Sequence, residues 1–435
     1  MGRFFLDNEE FEKLLPELVG AEDIQASVYR VQLTYFHERF GAVPHEERVH
    51  YPLRLAPVVD HAVRGFLKRY DYKPFLVTRL PSRKGIGAES FYSDGRWLSG
   101  DGNYIFNIDE RGGEQGLSYE IIAKDEITSQ TVMRVFTRMV DRQFKNKVLV
   151  VHDEVKILKA AEITALGPEW AEVRETVDPD LADRVEQVVL PFFDRAEEFQ
   201  KVGIAPKLGL LLHGGTGTGK TYLIKTLIRH FAGKVTVAHL SADQFFSRHG
   251  AIRAVFSFLH KYSPLVLVLE DIELLARSRE TLIDNPTVQA LLDIMDGAVV
   301  PLNQVVIIAT TNFMDQLDPA FKRPGRFDEV WSFEVPSTEM AQAAFKGYFS
   351  PSGLKPPQSL IKACGDSALS YAQLRFVATE VLRRHMSRVT QGNIKVGVAE
   401  LKEIIKAAQV GMEKRRTVGF QKFGDSFEGY YDDDY

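Results

Sequence analysis

Two kinds of apolar pattern run along this chain, and one gives way to the other between residues 165 and 206. In the second half, "LGLLL" from Leu208, "LVLVL" from Leu265 and "VVIIA" from Val305 are uninterrupted apolar runs of strand length. That is the pattern of central parallel strands buried on both faces. In the first half the runs are shorter and mixed. "KPFLVTRL", "NYIFNID", "LSYEII" and "KVLVVH" read as extended segments, while Val132, Val135, Phe136, Met139, Val140 and Phe144 recur at helical spacing. Turn chemistry at "SDGR" (Ser93 to Arg96), "GDGN" (Gly100 to Asn103) and "RGGEQG" (Arg111 to Gly116) separates the strands, and "FEKLLPEL" and "IQASVYRVQLTYF" form a helical preface. The expectation is an α+β domain with a strand meander, followed by an α/β core.

Between Gly167 and Pro206 the spacing predicts a connector. Asp178 stands where an N-cap would and Pro179 at the first helical position, with Pro191 interrupting the run before "FFDRAEEFQ". After Pro336 the pattern turns helical, and Ser370 and Gln373 are spaced as a capping box for a helix running through Leu374 and Val377 to Leu382.

Composition narrows the class. A chain of 435 residues with 45% hydrophobic residues builds two to three cores. A formal charge of −5 gives no broad attraction for nucleic acid or anionic membrane, and short basic stretches such as "KRYDYKPF" lack the basic stripe that DNA handling needs. The single Cys364 excludes an internal disulfide framework and fits a reducing compartment. No apolar run reaches the roughly 18 residues of a membrane span, and "MGRFFLDNEE" turns acidic too early for a signal peptide. The expected location is cytoplasmic. "HEERVH" spaces its histidines five apart, which on a helix sends them to different faces, so it reads as solvated surface. "GIGAES" is a weak phosphate signal.

The chemistry concentrates in three stretches. In "LGLLLHGGTGTGKTYLIKTLIRHF", a strand meets Gly214-x-x-x-x-Gly219-Lys220-Thr221 and then a helix with Leu223, Ile224, Leu227, Ile228 and Phe231 inward. Backbone N–H groups from Gly214, Gly215, Thr216, Gly217, Thr218 and Gly219 through Tyr222 would wrap phosphate oxygens, Lys220 would neutralise the β and γ phosphates of ATP, and Thr221 would offer its hydroxyl to Mg²⁺. The second stretch is a buried strand ending in Glu270 and Asp271, whose side chains point opposite ways and can divide two tasks, meeting hydrated Mg²⁺ and facing the γ-phosphate. The third, "VVIIATTNFMDQLDPAFKRPGRFDE", carries Asn312 at a strand end and Arg323 and Arg326 in a basic turn; in a ring such arginines would reach a neighbouring subunit's ATP.

From Gly167 to about Gln409 the chain resembles the classical clade of AAA ATPases, on the P-loop, the apolar strand ending in two acids, "ATTN" and "LDPAFKRPGRFD" in that order and spacing. The resemblance implies an α/β P-loop NTPase (AAA+) core with a small helical lid, preceded by an α+β N-terminal domain. It implies a homo-oligomeric ring, commonly a hexamer, that uses ATP and Mg²⁺ to remodel or thread a protein client. The Glu-Asp order, where Asp-Glu is common, is similar to the branch of the mitochondrial translocase of the folded Rieske protein, which usually carries a membrane span that this chain lacks. On that likeness Glu270 and Thr221 would serve the metal, Asp271 would activate water, Asn312 would be the sensor, and Arg323 and Arg326 the fingers in trans. Phe245, Phe246 and His249 fall near the pore-loop position, although a short buried helix explains the phenylalanines as well. The expected organisation is 1–165 for an N-terminal client or partner domain, 166–206 connector, 207–336 large ATPase subdomain, 337–412 helical lid and 413–435 acidic, aromatic tail. A slowly hydrolysing assembly switch is the competing function.

Overall fold

The computed structural model describes residues 32, 34–52, 55–79, 92–110, 117–151, 155–174, 177–241, 251–273, 286–298, 303–323, 325–349, 355–384 and 396–410. The "RGGEQG" and "GIGAES" stretches, the pore-loop candidates Phe245, Phe246 and His249, and the acidic tail lie outside them. The chain divides into two compact units, 1–215 with 219–333 and 216–218 with 334–435.

The first unit holds two sheets. Its antiparallel sheet has the order β1-β5-β4-β3-β2, from strands β1 (His45–Tyr51), β2 (Lys73–Arg79), β3 (Tyr92–Leu98), β4 (Tyr104–Glu110) and β5 (Leu117–Ala123). Helices α1 (Ala56–Arg69) and α2 (Glu126–Phe144) contribute Phe66 and Phe136, whose rings lie 5.1 and 5.2 Å from Phe106 of β4. The helical spacing of Val132, Phe136, Val140 and Phe144 therefore marks a buried face of α2, which starts at Asp125, whose side chain accepts from Thr128 N at 2.8 Å.

Two expectations fail in this sheet. "SDGR" is no turn: it lies inside β3, with Gly95 opposite Val77 on one side and Ile108 on the other. Gly95 is tolerated mid-strand because Trp97 folds back over it; a Cβ there would come within 2.3 Å of the Trp97 ring. "HEERVH" forms strand β1 paired with β5, and only Arg48 and His50 of it are exposed. His45 Nδ1 lies 2.8 Å from Ser129 Oγ, a contact made across the packed face and not in solvent.

The second sheet has the order β12-β8-β11-β10-β9-β6-β7, built from β6 (Val148–Val151), β7 (Val155–Ile157), β8 (Lys207–Gly214), β9 (Thr236–Ser241), β10 (Leu265–Glu270), β11 (Val305–Thr311) and β12 (Glu329–Phe333). Its five strands from β12 to β9 are parallel, and β6 continues them parallel to β9. β6 and β7, which lie before the boundary expected at 165, thus belong to this second sheet, with β7 antiparallel to β6 at its edge. The register explains the uninterrupted apolar runs. Leu210, Leu212, Val266, Val268, Val306 and Ile308 share one core with Leu223, Leu227 and Phe231 of helix α4 (Lys220–Phe231). Their neighbours Leu211, Leu265, Leu267, Leu269, Ile307 and Ala309 share the other core with Phe256 and Phe258 of helix α5 (Ala251–Leu259). Both faces are covered, so every position must be apolar. Phe144, ending α2, packs at 4.8 Å from Phe258 and 5.5 Å from Tyr262, which makes one continuous core of the antiparallel sheet's helices and one face of the parallel sheet.

In the segment read as a connector the helix start forms as its sequence asks, and Trp170, Val185 and Phe192 are buried in the core that holds Leu210 and Val266. Asp178 caps helix α3 (Pro179–Arg184) by accepting from Asp180 N and Leu181 N, and a five-residue π turn, Val185–Val189, follows. The second unit is helical, with α6 (Thr338–Phe349), α7 (Gln358–Gly365), α8 (Tyr371–Arg384) and α9 (Val398–Val410) around Phe345, Phe349, Leu374, Val377 and Ile404. The Ser370–Gln373 capping box forms in both directions: Ser370 N donates to Gln373 Oε1 at 2.8 Å and Gln373 N to Ser370 Oγ at 3.3 Å. Among the described residues no helix is long and apolar enough to cross a membrane.

Candidate nucleotide site

The site is assembled at the carboxyl ends of β8, β10 and β11, where the parallel sheet stops and its side chains can turn toward a ligand. The loop from β8 to α4 needs its glycines. Gly214 has φ +144° and a Cβ there would meet the Phe333 carbonyl at 2.0 Å; Gly217 and Gly219 have φ +76° and +111°. Any side chain would strain this backbone. Gly215, Thr216 and Gly217 are exposed while Thr218 is buried.

Lys220, first residue of α4, is 7% exposed, and its Nζ donates to Gly214 O (2.6 Å), Gly215 O (2.8 Å) and Asn312 Oδ1 (2.9 Å). Burial lowers its pKa, while Glu273 and Asp271 oppose that shift. Asn312 in turn donates from Nδ2 to Asp271 Oδ1 at 3.1 Å and to Glu273 Oε1 at 3.0 Å. The structure thus brings Lys220, Asp271 and Asn312 into one hydrogen-bonded group.

The two acids do part company, by a sharper device than strand alternation. Glu270 is the last residue of β10 and its Oε2 lies 3.0 Å from His239 Nε2 on β9. Asp271 is outside the strand at φ +55°, anchored by its N–H to Thr310 Oγ1 at 3.0 Å. This left-handed residue turns one carboxylate toward β9 and the other toward β11. Their acidities separate too. The His239 hydrogen bond, with help from Thr221, holds Glu270 below its ordinary value; burial, then the charges of Glu273 and Glu270, lift Asp271 above its own. A carboxylate kept ionised suits a metal ligand, and one made more basic suits proton abstraction.

The arginines sit apart from this group. Arg323 is exposed. Arg326 is buried and bidentate to Asp296, with Nε to Oδ1 at 2.8 Å and a terminal nitrogen to Oδ2 at 2.6 Å; its other terminal nitrogen donates to Ala320 O. Its loop lies directly on β8, where a Cβ at Gly209 would meet the Arg326 carbonyl at 2.1 Å. Tyr222 is half exposed at the start of α4 and Thr221 is exposed beside it.

Sequence reasoning missed Glu273, His239 and Asp296. Glu273 follows Asp271 by two in "LEDIELL", just past the end of β10, and His239 interrupts the apolar run "VTVAHLS" inside β9; either could have been singled out as a polar residue in or beside a buried strand. Asp296 carries no local signal, because its partner is 30 residues away.

Residues 210–335 match the family model described as ATPase family associated with various cellular activities (AAA). This segment is an AAA domain. Curated relatives include the human ATPase family AAA domain-containing protein 2, 28% identical over 254 residues, covering 53% of this chain and 18% of that protein. The proteasome-activating nucleotidase of Methanopyrus kandleri is 33% identical over 205 residues, covering 45% of this chain and 44% of its own. That of Saccharolobus solfataricus is 25% identical over 426 residues, 95% and 94% of the two chains. The chain spans less than half the length of the first relatives it matches. Within the AAA domain, the P-loop, the acids at 270 and 271 and Asn312 all fall inside the matched residues.

Proposed function

We propose that this chain is an ATP-hydrolysing ring motor that remodels, unfolds or translocates a protein client. One observation carries the reading: Lys220, Asn312 and Asp271 are already joined by hydrogen bonds at the mouth of a glycine cradle. The residues fit nucleotide and metal, since the cradle excludes side chains and Glu270 keeps a buried oxygen, Oε1, without a hydrogen-bond partner among the described residues. Thr221 and Glu270 would hold Mg²⁺, which supplies charge neutralisation for the phosphates when bound.

The chain's own groups then have distinct tasks. The N–H groups of Gly214 to Tyr222 bind phosphate oxygens, and Lys220 exchanges its two carbonyl partners for them. Asp271 orients a water and takes its proton; with its acidity reduced by burial it is a better base than an exposed aspartate. Asn312 stays neutral and donates without adding charge. Arg323, exposed on its loop, is assigned as the finger reaching a neighbour's nucleotide. Arg326 takes the same role only by leaving Asp296.

The proteasome-activating nucleotidases are named for a protein partner, which favours a protein client, and the net charge of −5 disfavours nucleic acid; a hexameric ring and a cytoplasmic location complete the proposal. We assign client selection to the antiparallel-sheet region. A second reading, a slowly hydrolysing assembly switch, is favoured by Arg326 being occupied within its own chain. Steady-state hydrolysis against protein concentration separates the two. A motor gives turnover that rises with assembly and disappears in Asp271→Asn, which still binds ATP; a switch assembles with ATP and turns over no faster than that variant.

A further inference from the structure

Glu273 is 2% exposed, yet the reading above gives it no task. A buried carboxylate is costly unless it is paired, so its surroundings need an account. The left-handed Asp271 reverses the chain, Ile272 is buried with its N–H on Thr310 O at 2.9 Å, and Glu273 returns to the side of the site. There Oε1 accepts twice from one residue, from Asn312 N at 3.1 Å and from Asn312 Nδ2 at 3.0 Å, while Oε2 has no hydrogen-bond partner among the described residues.

We infer that Glu273 is a positioning residue that fixes the amide of Asn312, and through it the recognition of the γ-phosphate of ATP. An asparagine amide is nearly symmetrical and can present oxygen or nitrogen to a ligand. Here one carboxylate oxygen receives both its backbone N–H and its side-chain NH₂, so the amide oxygen must face Lys220 and the NH₂ must lie between Asp271 and Glu273. When Lys220 turns to phosphate, the Asn312 oxygen loses its partner. The Glu273 contacts remain, and the NH₂ keeps its direction beside the water-activating carboxylate. The inference rests on the proposed ATPase site, and adds a residue acting through another.

The test uses the full chain with Glu273→Ala, Glu273→Gln, Asn312→Ala and the double Ala variant, measuring kcat, KM and the Mg²⁺-dependent affinities for ADP and ATPγS. In Glu273→Ala, kcat and the preference for ATPγS over ADP should each fall about 10-fold, the scale of a lost charged hydrogen bond, with ADP affinity unchanged. The double variant should fall no further than Asn312→Ala. Glu273→Gln keeps an acceptor oxygen and should fall only about 3-fold. Native kcat and ATPγS preference in Glu273→Ala, or multiplying losses in the double variant, overturn the inference. Should Glu273→Ala fail to fold, Glu273→Gln decides alone, since an unchanged kcat and ATPγS preference there overturn it. If the native chain binds nucleotide without turnover, the motor reading fails, and the ATPγS-to-ADP comparison still decides on Glu273. A native chain that binds neither nucleotide overturns both.

Discussion

Two carboxylates of this protein are almost equally buried, Glu120 at 4% exposure in the antiparallel sheet and Glu273 at 2% beside the P-loop. Glu120 is fully used: Arg48 donates to Oε1, Asn107 Nδ2 donates to Oε2 at 2.8 Å, and Gln32 Nε2 holds Asn107 in turn at 2.9 Å. At the P-loop, Glu270 and Glu273 each keep one oxygen without a hydrogen-bond partner among the described residues. A closed polar network specifies one arrangement of strands and helix, whereas an open one holds acceptors ready for something that arrives. The difference marks one region as structural and the other as chemical, although their burial is alike.

Mutations of the groups given chemical tasks, in the open network or on the exposed arginine loop, should act on chemistry and leave folding intact. Asp271→Asn should lower turnover about 100-fold or more with ATP binding retained, and Arg323→Ala by a similar factor only where the protein assembles, with thermal stability unchanged. Hydrolysis and nucleotide binding measured at two protein concentrations check both. Mutations in the closed network should do the reverse. Glu120→Ala takes the Oε2 acceptor from Asn107 Nδ2 and leaves Arg48 to rehydrate, which should cost about 1–3 kcal/mol by urea unfolding, with kcat per folded molecule unchanged. A fall in kcat as large as that of the P-loop variants would break the comparison.

Arg326 tests the boundary between the two. Its bidentate pair with Asp296 predicts that Arg326→Ala, unlike Arg323→Ala, lowers thermal stability measurably. The pH dependence has a definite sign. In its proposed role Asp271 is a base only when ionised, so kcat should be full above its pKa and be lost as pH falls through it. Because burial and the charges of Glu273 and Glu270 raise that pKa, the acid limb should lie above that of an ordinary aspartate, and Glu273→Gln should move it to lower pH. A pH–rate profile of both proteins reads this directly. The smallest effect concerns Cys364, whose thiol burial pushes up to about 12; it should resist alkylation at pH 8 until the chain is unfolded.

Much of this was legible locally. The P-loop announces its glycines because only they adopt φ near +76° and +111° without strain, and the inward face of α4 follows from helical spacing. The caps at Asp178 and Ser370 need only neighbours within three residues. "SDGR" misled because turn residues inside a strand look the same as turn residues between strands; what keeps Gly95 in β3 is the Trp97 ring and two flanking strands. β6 misled for a related reason, since an apolar run does not say which sheet it joins, and the three-residue β7 is too short to show a pattern of its own.

By itself the sequence determined the class of fold, the phosphate loop and the set of candidate groups, because glycine freedom, apolar periodicity and strand-end polarity act over a few residues. Tertiary structure alone decided how those groups are shared. It placed Glu273 on Asn312 across two strand ends and Asp296 on Arg326 across 30 residues. It also joined the antiparallel sheet to the nucleotide-binding core through Phe144, Phe258 and Tyr262. Such pairings depend on where distant strands stop and which way one left-handed residue turns the chain, and no local pattern of residues encodes either.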